Sequence, residues 1–233
     1  MGRTRDEIAQ RVAQDIGRGW VLNLGIGIPT LIAHHVAHPE TLVHSENGIL
    51  GMGGPPADGV VVDPDLVNAG KRPATVVPGG AFFDSLMSFG LIRGGHLDLT
   101  VMGAFQVSST GDLANWKLPH QRTGALGGAA DLAAGAKRVW IAMEHTGRNG
   151  EARLLDTCSY PLTAPGVVER IYTDLAVLAP AGAGRFELLE LADGVSLEEV
   201  QAATAAEVVT SDDPGAAPLS GHPNDGGDSL VSH

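Results

Sequence analysis

Apolar residues along this chain alternate between helical spacing and short continuous runs, the rhythm of a protein that interleaves helices with strands. Ile8, Val12 and Ile16 recur at helical period behind Thr4-Arg5-Asp6-Glu7, whose hydroxyl and carboxylate stand at capping-box spacing, so a helix is expected over residues 5–16. Gly17 and Gly19 stop it, and the mostly apolar run 20–24 reads as a strand buried on both faces. Further strands are expected at 41–45, 75–77, 97–101, 138–143, 175–178 and 186–191. Val60-Val61-Val62 is one more apolar stretch.

Pro29 suits the first turn of a helix over 30–36. Pro78-Gly79-Gly80 breaks the chain before a helix carrying Phe82, Phe83, Leu86, Met87 and Phe89, which ends near Arg93. Asp131 is placed to cap a helix over 131–136, another helix is expected over 166–171, and the capping box Ser196-Leu197-Glu198-Glu199 opens a last one reaching about Thr204. Residues 105–118 read as a hairpin turning at Ser109-Thr110-Gly111-Asp112, with short strands near 154–155 and 157–158. The stretch 46–59 is too rich in Gly and Pro for regular structure and reads as a long functional loop. From Ser211 onward the chain has no Lys or Arg and little to bury, so residues 1–210 are expected to form one α/β domain and 211–233 a disordered tail. No internal repeat is visible.

Composition agrees with a packed α/β domain. The chain has 233 residues, 43% hydrophobic, with 32 glycines and 4% aromatics, which suits close packing of helices on sheet with many tight turns. A net charge of −12 argues against nucleic acid or anionic membranes as partners. No apolar run approaches the ~20 residues of a membrane span, and the amino terminus enters a polar helix, so a cytoplasmic location is expected. The single Cys158 has no internal disulfide partner and reads as a small core residue.

Candidate chemistry gathers where strands end. Three acids stand at or beside such ends: Glu46, Asp98 and Glu144. Asp98 alternates with apolar neighbours and reads as an outward residue or a fold-level ion pair. Glu144 adjoins His145 but has no glycine loop to admit a substrate. Glu46 has one, with four glycines in the seven residues from Gly48 to Gly54, and an α/β fold often presents reactive groups where such a strand opens into a loop. Composition alone leaves Glu46 equally readable as a solvated loop acid or a cap on nearby amides. Gly25-Ile26-Gly27-Ile28-Pro29-Thr30 is similar to a phosphate-binding turn but lacks the third glycine and downstream acid of a dinucleotide site. His34 and His35 have no partner acid at metal-binding spacing and read as ordinary helix residues, and no metal is expected.

At Ser45-Glu46-Asn47-Gly48-Ile49-Leu50-Gly51 the sequence resembles the beta, or B-type, subunit of the 3-oxoacid coenzyme A transferases, the family of the succinyl-CoA:3-oxoacid and 3-oxoadipate CoA-transferases. The resemblance continues through Asn23 to Thr30, Phe82-Phe83-Asp84-Ser85, Ile92 to His96, Gly111 to Trp116, Gly127-Gly128-Ala129 and Met143 to Thr146, about residues 5–204. It implies an α/β fold whose mainly parallel open sheet is flanked by helices. It implies Glu46 as the nucleophile of a ping-pong exchange that passes through a glutamyl-CoA thioester, and the Gly127 amide as an oxyanion donor. Coenzyme A is then a substrate, no cofactor is permanently bound, and Gly25, Gly27, Asn47, Gly51, Gly53 and Gly128 are candidates to lie along it. The partner implied is the family's A-type subunit, in an A2B2 heterotetramer acting on an acyl-CoA, succinyl-CoA in the first instance, and a 3-oxo acid. Alternatives are 3-oxoadipate or a short-chain fatty acid as acceptor, or a non-catalytic module binding CoA or another phosphorylated ligand. A sugar-phosphate isomerase would not carry the Ser-Glu-Asn-Gly element. The chain departs from the family pattern at Gly54, Gly124 and Ala125, beside the expected CoA and oxyanion region.

Overall fold

The computed structural model describes residues 2–57, 59–60 and 63–210. The first half runs through α1 (Arg5–Gln14), β1 (Val21–Leu24), α2 (Ile28–Leu31), β2 (Leu42–Ser45), β3 (Ile49–Met52), β4 (Val76–Phe82), α3 (Ser85–Arg93) and β5 (Leu99–Met102). The second half adds β6 (Gln106–Ser108), β7 (Leu113–Ala114), α4 (Ala129–Gly135), β8 (Val139–Ala142), β9 (Leu154–Leu155), β10 (Val168–Tyr172), β11 (Ala176–Gly182), β12 (Arg185–Leu191), α5 (Leu197–Ala203) and β13 (Glu207–Val209).

These strands form a 10-stranded sheet in the order β13-β12-β11-β10-β8-β5-β1-β2-β3-β4 and a 3-stranded sheet in the order β7-β6-β9. The middle of the large sheet, β10-β8-β5-β1-β2, is parallel throughout. Antiparallel strands extend it on both sides, β3 and β4 beyond β2 and β11 and β12 beyond β10. Each central strand is buried on both faces, so its alternate residues feed two cores. Val139 and Ile141 of β8 join Leu132, Ile171 and Phe186 on one side. Trp140 and Ala142 join Ile8, Val12, Leu22 and Tyr172 on the other, under α1.

Both capping boxes form as the sequence predicts, at Thr4 and at Ser196. Other elements differ from expectation. The stretch 46–59 is not one loop, because β3 occupies four of its residues and pairs with β2. Pro78-Gly79-Gly80 does not interrupt the chain but lies within β4, an edge strand where a missing N–H can face away from the ladder. The following helix therefore starts at Ser85, capped by the Asp84 side chain on the Met87 amide at 2.8 Å. Residues 166–171 are not helical, since Val168–Tyr172 pairs with β8 and β11. Gly128, not Asp131, caps α4. The helix expected over 30–36 is instead α2 followed by a single 3-10 turn, Ile32–His34. Residues 157–158 form no strand, and Trp116 lies beyond the second hairpin arm. Val61, Val62 and the tail from Ser211 lie outside the described residues. Among the described residues no helix is long and apolar enough to cross a membrane.

Candidate active site

The order of the central strands positions the site. From β1 the chain moves outward to β2, then returns to place β5 on the opposite side of β1, so the direction of winding reverses there. Loops leaving the carboxyl ends of strands on either side of such a point diverge and leave a crevice. A cavity of about 1050 Å³ fills it, walled by Gly25 and Gly27 after β1, Glu46 after β2, Gly103 after β5, and Gly127-Gly128 before α4.

Glu46 sits in a tight turn between β2 and β3. The Gly48 amide donates to the Ser45 carbonyl at 2.9 Å, and the Phe83 amide donates to the Gly48 carbonyl at 3.0 Å. Gly48 has φ +112, and a Cβ there would run into the Phe83 carbonyl, so this turn needs glycine. The neighbouring side chains brace it. Ser45 Oγ donates to Asn47 Oδ1 at 2.6 Å and accepts from the Ala69 amide at 3.2 Å, while Asn47 Nδ2 donates to the Val67 carbonyl at 2.7 Å.

The Glu46 carboxylate meets the glycine pair that precedes α4. The Gly128 amide donates to it, and an added Cβ on Gly128 would lie 2.5 Å from Glu46 Oε2. Only a residue without a side chain lets the carboxylate come this close. Burial raises the Glu46 pKa, the Gly128 hydrogen bond works against that, and the Asp131 charge adds to the rise, with the net shift upward. A carboxylate deprived of water and given one amide donor is more reactive toward an electrophile than a solvated one, and the amide stands where an oxyanion could form.

Beneath the turn lies a buried polar chain. Asn23 Nδ2 is 3.3 Å from His44 Nδ1, His44 Nε2 is 3.0 Å from Ser88 Oγ, and Ser88 Oγ donates to the Glu46 carbonyl at 2.8 Å. Burial lowers the His44 pKa to about 4, so its ring is neutral near pH 7. The Phe83 ring stacks on it with centroids 6.0 Å apart.

The structure thus brings Glu46, Gly127, Gly128, Gly25 and Gly27 to one cavity. Asn47, Gly51 and Gly53 are not in its wall: Asn47 ties the turn to Val67, Gly51 packs on Val77 and Gly80 of β4, and Gly53 packs on Thr75. Of the departures, Ala125 lines the cavity, Gly124 packs against the Trp116 ring, and Gly54 lies beside His34. Asp98 accepts from the Val21 amide at 2.9 Å and pairs with Lys137 at 2.8 Å. Glu144 does not pair with His145. It bridges to Arg5, and His145 is enclosed between the Thr173 and Thr204 hydroxyls, each at 2.9 Å. His35 pairs with Asp6 at 2.9 Å, and burial pushes the Cys158 thiol up to about 11, far from a reactive thiolate. No group of three or more potential metal-ligating side chains occurs among the described residues.

Sequence reasoning passed over His44, Ser88 and Arg72. The signal for His44 was a polar ring in the apolar run 42–44, immediately before the candidate acid. Arg72 shares the cavity wall with Glu46 and pairs with no acid among the described residues, yet in sequence it only ends a polar segment. Nothing local distinguishes Ser88, whose partners are more than 40 residues away in sequence.

A sheet crevice with a half-buried carboxylate against a glycine pair fits an acyl-transferring enzyme, and comparison with known proteins identifies which. The coenzyme A transferase family model matches residues 5–203. The B-type subunit of the succinyl-CoA:3-ketoacid coenzyme A transferase of Helicobacter pylori strain J99 is 48% identical over 203 residues, covering 87% of this chain and 97% of that protein. The B-type subunit of the 3-oxoadipate CoA-transferase of Pseudomonas putida strain KT2440 is 50% identical over 199 residues, covering 85% and 92%. In fold, an acyl-CoA transferase of Escherichia coli O157:H7, solved as a thioester complex with CoA, superposes with TM-score 0.70 at 20% identity, covering 91% of this chain and 42% of that one. The chain belongs to the coenzyme A transferase family. Within it, the chain is an enzyme subunit of the B type.

Proposed function

We propose that Glu46 is the covalent nucleophile of a CoA-transferase that moves CoA from succinyl-CoA to a 3-oxo acid. The observation that carries this reading is the half-buried carboxylate in the cavity wall, facing the Gly128 amide with its pKa raised by burial. A Glu46 oxygen attacks the thioester carbon, the C–S bond breaks, and an acyl-glutamyl anhydride forms with release of CoA thiolate. The thiolate then attacks the Glu46 carboxyl carbon, forming the glutamyl-CoA thioester and expelling the donor acid as its carboxylate. The acceptor carboxylate attacks that thioester in turn, giving a new anhydride, and the returning thiolate takes the acceptor acyl group and restores Glu46. Each addition places negative charge on an oxygen beside the Gly127-Gly128 segment, where preorganised amides contribute most.

The other half of the site belongs to an A-type subunit in this reading, with A2B2 as the assembly. The naming of the relatives as B-type subunits supports it, as does the match to less than half of the longer acyl-CoA transferase chain. Arg72 favours an acyl group with a second carboxylate, such as succinyl or 3-oxoadipyl, over acetyl or a short-chain fatty acyl group, because it is a cation on the wall that holds Glu46 and pairs with no acid among the described residues.

The test is CoA exchange by the chain co-expressed with its A-type partner, across a panel of acids. Glu46→Gln abolishes exchange. Arg72→Met raises KM for succinyl-CoA about tenfold while leaving acetyl-CoA within about threefold, the loss of one charged hydrogen bond. Equal loss for both thioesters would move Arg72 to the phosphates of CoA, and exchange by Glu46→Gln would refute the nucleophile.

A further inference from the structure

The three side chains of the chain beneath the Glu46 turn are among the most enclosed polar groups of the described residues. Asn23 is 4% exposed, His44 1% and Ser88 0%. They come from three separate elements, β1, β2 and α3, and form a linear chain from Asn23 through His44 to Ser88, whose hydroxyl alone reaches the Glu46 carbonyl oxygen.

Hydrogen counting gives the chain a direction. The Ser88 hydroxyl has one hydrogen, and the Glu46 carbonyl can only accept, so that hydrogen is committed to Glu46. Ser88 Oγ must therefore accept from His44, which puts the ring hydrogen on Nε2. His44 Nδ1 is then a bare acceptor, matched by the NH2 of Asn23, which also reaches the His44 carbonyl at 3.3 Å. One neutral tautomer satisfies both His44 ring nitrogens and the Ser88 hydroxyl, and the hydrogens between the three side chains and the carbonyl run in one direction, toward Glu46.

We propose that His44 and Ser88 are positioning residues for Glu46: the Nε2–H tautomer of His44, set by Asn23, aims the Ser88 hydroxyl at the Glu46 carbonyl and so fixes the peptide plane from which the nucleophile projects. This rests on the reading of Glu46 as nucleophile. The carboxylate hangs from a long rotatable side chain and has to meet a thioester carbon, then a thiolate, then a second acid from one place. Its far end is held by the Gly128 amide, and the hydroxyl of Ser88 holds the near end. With both ends fixed, fewer conformers compete with the attacking one, and misplacement by about 1 Å can cost ~10²-fold in rate. Ser88 is in a helix whose own backbone bond, Ser88 amide to Asp84 carbonyl at 3.0 Å, is intact, so its hydroxyl is free to reach across to the turn. A neutral imidazole also brings no positive charge near Glu46 that would stabilise the resting carboxylate.

The experiment uses the chain co-expressed with its A-type partner and measures single-turnover formation of the Glu46 thioester from succinyl-CoA for wild type, His44→Leu, His44→Gln, Ser88→Ala and the His44→Leu/Ser88→Ala double variant. His44→Leu and Ser88→Ala should each slow thioester formation about 10- to 100-fold, with KM for succinyl-CoA within about threefold. The double variant should be no slower than the worse single one, as for two residues acting through one path. His44→Gln keeps an N–H at the position of Nε2 and should recover most of the rate, which a residue needed only for packing would not allow. Wild-type rates in the single variants, multiplicative losses in the double, or a Gln variant as slow as Leu would each overturn the proposal. The 15N spectrum of the His44 ring in the isolated chain at pH 7 gives a second reading: the Nε2–H tautomer supports hydrogens directed toward Glu46, and an Nδ1–H tautomer overturns it. If wild type itself forms no thioester at Glu46, the nucleophile reading fails. A wild-type thioester with undisturbed variants sinks the positioning role alone.

Discussion

A carboxylate moved from water into a protein wall loses solvation, and at Glu46 one amide hydrogen bond does not make up that loss, so the pKa stays raised. The sign of the stability effect follows. A group whose folded pKa lies above its unfolded value favours folding below the unfolded pKa, and that contribution is lost as pH rises through the folded value. At neutral pH the charged Glu46 therefore costs stability. Glu46→Gln should raise the melting temperature at pH 7, and the gain should shrink as the buffer is taken below the carboxylate range. A gain over wild type no larger at pH 7 than at pH 4 would show that the carboxylate is better solvated than its burial implies. Gly128 offers a separate test. Its φ of −85 and ψ of 3 suit alanine, but the new Cβ would stand 2.5 Å from Glu46 Oε2. Gly128→Ala should leave the melting temperature nearly unchanged and lower kcat ~10²-fold through displacement of the carboxylate. At this scale Glu46 was singled out as a candidate by its place at a strand end before a glycine loop, and Gly127-Gly128 by the family resemblance alone. The Asn23-His44-Ser88 chain was not, because hydrogen bonds between distant elements leave no local pattern.

Elements were legible where their signals are local and hidden where the sheet overrides them. Capping boxes at Thr4 and Ser196 depend on four consecutive residues and formed as read. The strand β3 was hidden by the glycines around it, and its register with β4 shifts between Leu50 and Met52. In β4, Pro78 and two glycines looked like a break, but an edge strand tolerates them. The segment Val168–Tyr172 could be read at helical period, and only its two neighbouring strands decide it as β10. His145 shows what such long-range decisions do for stability. It follows β8 and is held between Thr173, after β10, and Thr204, after α5, with burial lowering its pKa to about 4. Unfolded, a histidine titrates near 6.5, so as pH falls the unfolded chain takes up a proton that the folded chain refuses. Stability should decline between about 6.5 and about 4, by about 3 kcal/mol from this group alone. Urea titrations across that window should give a visibly shallower pH dependence for His145→Gln than for wild type. Parallel curves would mean that His145 is charged in the native state.

For the whole molecule, the sheet order sets where chemistry can occur. The reversal of winding at β1 opens the cavity at the carboxyl ends of β1, β2 and β5, and the parallel centre keeps those ends on one edge. The resemblance at Ser45-Glu46-Asn47-Gly48 anticipated both the family and the mainly parallel sheet. It did not anticipate that Gly51 and Gly53 serve the packing of β3 against β4 and Thr75 instead of lining the cavity. Which acid accepts CoA is less legible, because in the proposed assembly the cavity is completed by a second subunit. Whether Glu46 carries CoA between the two acids can be read by mass spectrometry. The chain, paired with its A-type partner, is incubated with succinyl-CoA alone, treated with borohydride and digested. If Glu46 is the carrier, the peptide containing it is recovered with that carboxyl group reduced to the alcohol, and adding the acceptor acid before borohydride prevents the reduction. An unmodified Glu46 peptide from a complex that still exchanges CoA would contradict this role.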